Sequence, residues 1–168
     1  METKVLVAYA SKHGMTAEIA VKIGDTLRQS GLQVDVVPVK NVKSPATYKA
    51  VVVGSAIYIA MWRKEIIKFL RENEKLLSER PVWFFSSGPL GEGDPAELLQ
   101  SWQFPEAQRS LIERIKPRDI AVFHGAIDLK KMNFLEKWTL KNVKAPTGDF
   151  RDWEAIAKWA AAIADKLK

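Results

Sequence analysis

Residues 5–16 read Val-Leu-Val-Ala-Tyr-Ala-Ser-Lys-His-Gly-Met-Thr, bringing two hydroxyls, a glycine and a helix start within a few positions of one another. A short apolar strand runs into a tight turn and the turn into a helix. Ser11 and Thr16 supply hydroxyl groups, and Gly14 sits where the backbone must bend. The helix start supplies unpaired N–H groups at the positive end of its dipole. This spacing predicts a pocket for one phosphate, built from Ser11, Lys12, His13, Gly14, Met15 and Thr16. Its donors are mostly neutral, which suits a tightly held monophosphate rather than a triphosphate to be hydrolysed. The turn lacks the Gly-Lys-Ser/Thr ending of a triphosphate loop and the G-x-G-x-x-G of a dinucleotide site. Read alone, Thr16 is equally well explained as a helix cap.

The elements that must position this turn follow from periodicity. Strands are expected at Lys4–Ala10, Leu32–Val39, Ala50–Gly54, Val82–Ser86 and Asp119–Gly125. Helices are expected at Thr16–Ser30, Trp62–Ser78, Pro105–Ile115 and Asp152–Leu167. The alternation predicts an α/β fold with one parallel sheet. Val5-Leu6-Val7, Val51-Val52-Val53 and Val82-Trp83-Phe84-Phe85 are continuously apolar, as strands buried on both faces should be. The second strand alternates and contains Pro38, which points to an edge. The expected order of the five parallel strands is therefore 2-1-3-4-5, and the ligand crevice lies outside the carboxyl ends of strands 1 and 3. Two further loops open there. Gly54-Ser55-Ala56-Ile57-Tyr58-Ile59-Ala60-Met61-Trp62 is unusually apolar for a surface connection, so a planar apolar group is expected to cover it; alternatively Ile57, Ile59 and Trp62 pack inward. Ser86-Ser87-Gly88-Pro89-Leu90-Gly91-Glu92-Gly93 has glycines that let backbone approach a ligand closely and N–H groups that can donate to ring carbonyls; alternatively it is a mobile polar loop. One phosphate pocket, an apolar slot and a backbone-donor loop at one sheet end fit a flavin mononucleotide.

Composition narrows the alternatives. The 168 residues are 47% hydrophobic, ample for one well-cored domain and short for two. There is no cysteine, which excludes disulfides, iron–sulfur clusters and thiol catalysis. No apolar run approaches the ~18 residues of a membrane span. The chain enters a strand almost at once, so no signal peptide is expected, and a cytoplasmic location follows. Phospho-receiver domains share the 2-1-3-4-5 order but need carboxylates after strands 1 and 3; here Tyr9-Ala10-Ser11 and Gly54-Ser55 stand there, and no metal site is expected. His124, at the end of strand 5, reads as structural. The net charge of +6 permits an anionic partner, but no nucleic-acid recognition motif accompanies it.

The phosphate-loop residues Ser11 to Thr16 resemble those of flavodoxins. The resemblance implies a flavodoxin-like three-layer sandwich over residues 1–168, with FMN as cofactor. It places the FMN phosphate on Ser11, Lys12, His13, Gly14, Met15 and Thr16. The ring would lie between the second loop (Ser55, Ala56, Ile57, Tyr58, Trp62) and the third (Ser86, Ser87, Gly88, Pro89, Leu90). The tail Val143-Lys144-Ala145-Pro146-Thr147-Gly148-Asp149-Phe150-Arg151-Asp152-Trp153 is similar to that of the flavodoxin-like, quinone-linked protoporphyrinogen oxidases. Those enzymes tend to carry charged or histidine side chains in the second loop, whereas here it is apolar until Arg63.

Residues 126–148 form an extra, basic segment before the last helix, with five lysines against Asp128 and Glu136. Placed at 100° per residue, Lys130, Lys137, Lys141 and Lys144 fall within roughly 60° of one another. Leu129, Met132, Leu135, Leu140 and Val143 lie away from that stripe, and Phe134 and Trp138 flank it. Either the helix packs its apolar side on the domain and solvates its lysines, or it meets an anionic membrane surface or a partner. Two functions fit the whole. One is an FMN oxidoreductase passing electrons from an organic donor to a quinone. The other is an electron carrier between redox protein partners with no substrate chemistry of its own.

Overall fold

The computed structural model describes residues 3–58, 61–88, 93–98, 103–143 and 148–168. In chain order, β1 (Lys4–Ala10) leads into α1 (Met15–Gln29), then β2 (Gln33–Pro38) and β3 (Ala50–Tyr58), which turns back as the short β4 (Met61–Trp62). Next come α2 (Lys64–Glu72), α3 (Glu74–Ser78), β5 (Val82–Ser87), α4 (Pro95–Leu98), α5 (Arg109–Ile115) and β6 (Asp119–Phe123). The chain closes with β7 (Ala126–Ile127), α6 (Phe134–Val143), β8 (Gly148–Asp149) and α7 (Trp153–Leu167).

The five long strands are parallel in the order β2-β1-β3-β5-β6, with β4 antiparallel on the end of β3. Leaving β4 aside, this is the expected 2-1-3-4-5 arrangement. β1 lies between its neighbours with Val5 opposite Val34 on one side and Ala50 on the other, while the strand that carries Pro38 pairs only with β1, at the edge. Two apolar layers cover the sheet. Val5, Val7, Val52 and Phe85 pack on one face against Ile19, Ile23 and Leu27 of α1 and Ile156 and Ile163 of α7. Leu6, Val51, Val53 and Phe84 pack on the other against Ile66, Phe69 and Leu70 of α2, Leu77 of α3 and Leu111, Ile112 and Ile115 of α5.

The departures from expectation have local causes. β3 runs four residues beyond Gly54, because the apolar continuation folds back as a hairpin with Ile57 opposite Trp62. The helix expected over Trp62–Ser78 is two helices broken at Asn73, whose side-chain amide donates to the Phe69 carbonyl at 2.8 Å and so competes with the backbone ladder. The extra segment is stapled at its base by the antiparallel pair β7–β8. Its head holds a 3-10 turn at Leu129–Lys131 followed by α6.

Candidate functional site

The turn after β1 and the start of α1 form one end of an open cavity of about 250 Å³. Gly14 sits at φ 86°, in the left-handed region that only glycine enters freely, and no side chain caps α1. The first-turn N–H groups of α1 are thus left for a ligand. Ser11 Oγ accepts from the Gly14 N–H at 2.9 Å, an arrangement that leaves its own proton to donate. Thr16 is buried, yet it lines the cavity beside Ser11, Lys12, His13 and Met15. Gly14 itself borders a neighbouring cleft, which shares Ser11 and Lys12 with the cavity.

The sheet end supplies the opposite wall. Ala56 and Ile57 come from the end of β3, Ser87 and Gly88 from the end of β5, and Gly125 and Ala126 from the connection after β6. These backbones pack so tightly that a Cβ on Gly125 would lie 2.9 Å from the Gly88 Cα, and one on Gly88 3.1 Å from the Ile57 Cβ. The result is a thin backbone floor, held together as the Gly88 N–H donates to the Phe123 carbonyl and the Gly125 carbonyl accepts from the Phe150 N–H. A flat group fits against such a floor. A single phosphate fits at the α1 end.

Several expected site residues do not reach the cavity. Trp62 is 4% exposed and faces the core: its indole N–H donates to Ser86 Oγ at 2.8 Å and its ring meets Phe84 edge-on. Ser86 is fully buried and donates in turn to the Gln103 carbonyl. Ser55 is buried and holds the chain at Arg63, accepting from its backbone N–H at 2.9 Å. The inward packing follows from the β3–β4 hairpin, which turns Trp62 onto the α2 side of the sheet. Pro89, Leu90 and the side chain of Tyr58 lie outside the described residues. His124 is buried with Nε2 2.7 Å from the Gly93 carbonyl, tying down the loop after β5.

The extra segment contributes a wall that spacing did not foretell. Met132, Glu136 and Leu140 line the cavity from α6 and the turn before it. Glu136, 9% exposed, places one oxygen 2.7 Å from His13 Nε2 and 3.4 Å from Lys12 Nζ. The hydrogen bond from His13 foremost, and Lys12 after it, hold the Glu136 carboxyl below the usual range. Lys131 Nζ reaches the His13 carbonyl at 3.5 Å. The lysine stripe is therefore divided: Lys130 lies in the 3-10 turn, Lys137 and Lys141 on α6, and Lys144 outside the described residues. Leu135, expected with the packing side, is 68% exposed, beside Phe134 at 84% and Trp138 at 56%. Glu136 was legible only as a charge against the lysines; its role appears once α6 folds over the turn.

Arg151 completes the surround. Its guanidinium donates to both oxygens of Asp149, to Glu18 and to the Met15 carbonyl, and lies 4.7 Å over the Trp153 ring. It locks the end of the extra segment to the first turn of α1. The one sequence signal for it is the Gly148–Trp153 tail.

A model of the flavodoxin domain family matches residues 6–154. The protoporphyrinogen IX dehydrogenase (quinone) of Escherichia coli strain K12 is 24% identical over 173 aligned residues, spanning 96% of this chain and 94% of that protein. The protein of the same name from Escherichia coli O157:H7 matches to the same extent, 24% over 173 residues. Among solved structures, a flavodoxin from the domain Archaea superposes with a TM-score of 0.64 at 17% identity, covering 98% of this chain and 99% of that one. Oxidised flavodoxin 1 of Bacillus cereus gives 0.63 at 15% identity, covering 99% and 100%. These superpositions show the fold.

Proposed function

This chain belongs to the flavodoxin domain family, and on that premise we propose that it is an FMN-dependent oxidoreductase that takes electrons from an acidic tetrapyrrole of the porphyrinogen class and passes them to a quinone. One observation carries the cofactor reading: the uncapped start of α1, with Ser11 and Thr16 beside it, opens into the same cavity as the glycine floor at Gly88 and Gly125. The relatives named for protoporphyrinogen and quinone support the substrate reading, since the match to them spans nearly the whole of both chains.

Bound there, the flavin supplies two-electron redox chemistry. The chain's own groups do the rest. The α1 N–H groups and the hydroxyls of Ser11 and Thr16 would hold the phosphate. Glu136 would offset Lys12 beside the phosphate, leaving Arg63 as a further cation on the cavity wall. Ile57 and the Gly88–Gly125 floor exclude water from one face of the slot. Per turnover the donor loses two electrons and two protons, and the quinone gains two of each. We infer that the acceptor side faces an anionic bilayer through α6, where Phe134, Leu135 and Trp138 stand exposed among Lys137 and Lys141.

Titration of the apo-protein tests the cofactor. FMN is expected to bind far more tightly than riboflavin, and FAD no better than FMN. Ser11→Ala and Thr16→Ala each remove a donor to a charged group, worth roughly 1.5–3 kcal/mol or about ten- to hundredfold in FMN affinity. Equal affinity for FMN and riboflavin would end the phosphate-loop assignment. The FMN-loaded protein should then convert protoporphyrinogen with a quinone; electron exchange with a flavodoxin reductase alone would make it a carrier.

A further inference from the structure

Beside the flavin cavity, across the shared residues Ser11, Lys12 and Arg63, lies a second cleft of about 360 Å³. Lys12, Lys40 and Arg63 bring three cations to it against the single carboxylate of Glu65. They come from three separate connections: the turn after β1, the 3-10 turn Val39–Asn41 after β2, and the start of α2. Lys12 shares the Glu136 carboxylate, and Lys40 stands exposed. Arg63 is the telling group. Its Nη2 meets Glu65 at 3.2 Å, but its Nε is buried with no hydrogen-bond partner. A buried guanidinium N–H without an acceptor is costly and uncommon, so this quarter-exposed side chain gains by turning its fork toward a carboxylate in the cleft, which it would meet with the planar geometry that arginine favours.

We propose that this cleft binds a carboxylate arm of the electron donor, with Arg63 and Lys40 as its recognising cations. The inference rests on the reading that the donor is an acidic tetrapyrrole. The cleft has room for a carboxylate on a short carbon chain but not for the macrocycle, which would lie over Arg63 toward the flavin cavity. Cations that the apolar loop after β3 lacks are thereby supplied from β2 and α2. Glu65 competes for Arg63 and sets the strength of the site.

The test uses the FMN-loaded protein titrated with protoporphyrin IX and with its dimethyl ester, followed by porphyrin fluorescence. The diacid should bind at least about tenfold more tightly than the ester, as one charge-assisted contact implies. Lys40→Gln and Arg63→Gln should each weaken the diacid about tenfold, Lys40→Gln leaving the ester unchanged, and Glu65→Gln should tighten the diacid. FMN affinity should be unaffected by Lys40→Gln, which lies outside the flavin cavity. Equal binding of diacid and ester, or variants that bind the diacid like wild type, would overturn the site. The two readings fail separately. Selective diacid binding without porphyrinogen oxidation leaves the cleft and removes the enzyme. Oxidation of the porphyrinogen diester at an unchanged KM leaves the enzyme and removes the cleft.

Discussion

At the scale of single residues, the contact between Glu136 and His13 sets how firmly the extra segment closes over the phosphate turn. Glu136 has a lowered pKa, so its holding energy is present above the ordinary carboxylate value and is lost as pH falls through the lowered one. The partner histidine is partly solvated, so the pair is worth about 0.5–1 kcal/mol. Glu136→Gln should therefore raise amide exchange across α6 at neutral pH about two- to fivefold, with α7 unchanged. In wild type, acidification should produce the same rise in α6. An α6 that exchanges identically in both proteins at every pH would show that the carboxylate does not hold it. A second pair acts far from the site: the Tyr48 hydroxyl donates to Asp35 at 2.7 Å, and burial, then this bond, push the phenol up to about 12. It secures the edge strand β2 to the residues that lead into β3.

At the scale of elements, the walls of the cavity depend on how the extra segment is tied to α1. Two short strands, β7 and β8, close its base. Arg151 then fastens that base to α1 through Glu18 and the Met15 carbonyl, while Asp149 orients the guanidinium. The Arg151 side chain is 7% exposed, but its two carboxylate partners are each about half exposed, which discounts the pair for solvent screening. Arg151→Ala is expected to cost about 1–2 kcal/mol, a fall in Tm of roughly 2–8 °C for a domain of this size. It should also loosen FMN, because the first turn of α1 loses its brace. Arg151→Lys should not rescue, since an ammonium lacks the fork that reaches four acceptors. Full rescue by lysine would reduce Arg151 to a charge.

At the scale of the whole molecule, charge and apolar exposure coincide on one element. The net charge is +6, and α6 carries Lys137 and Lys141 beside the exposed rings of Phe134 and Trp138. Among the described residues no helix is long and apolar enough to cross a membrane. Each lysine near an anionic surface is worth about 1 kcal/mol, and the attraction fades as salt shortens the screening length. The FMN-loaded protein should sediment with anionic vesicles at low salt and be released at high salt. Replacing Lys130, Lys137, Lys141 and Lys144 with glutamate should abolish sedimentation and slow reduction of a vesicle-borne quinone, with FMN affinity unchanged. Wild-type protein that ignores anionic vesicles at low salt would remove the bilayer as partner.

The sequence by itself determined the fold and the strand–turn–helix around Ser11–Thr16, because both are written in local signals. Continuous apolar runs such as Val51-Val52-Val53 can only be buried strands, Pro38 marks an edge, and Ser11, Gly14 and Thr16 lie close enough to meet in any strand–turn–helix. Which way a side chain faces past the end of a strand is not local. Trp62 turns from the expected slot into the core because β3 continues into a hairpin, a pairing that the largely apolar run over residues 54–62 does not distinguish from a loop. Glu136 meets His13 across 123 positions, and Lys40 and Arg63 share a cleft only because the turn after β2 lies beside the start of α2. Such long-range convergence depends on sheet order and on how the inserted segment packs, so tertiary structure alone decided which charges surround the site.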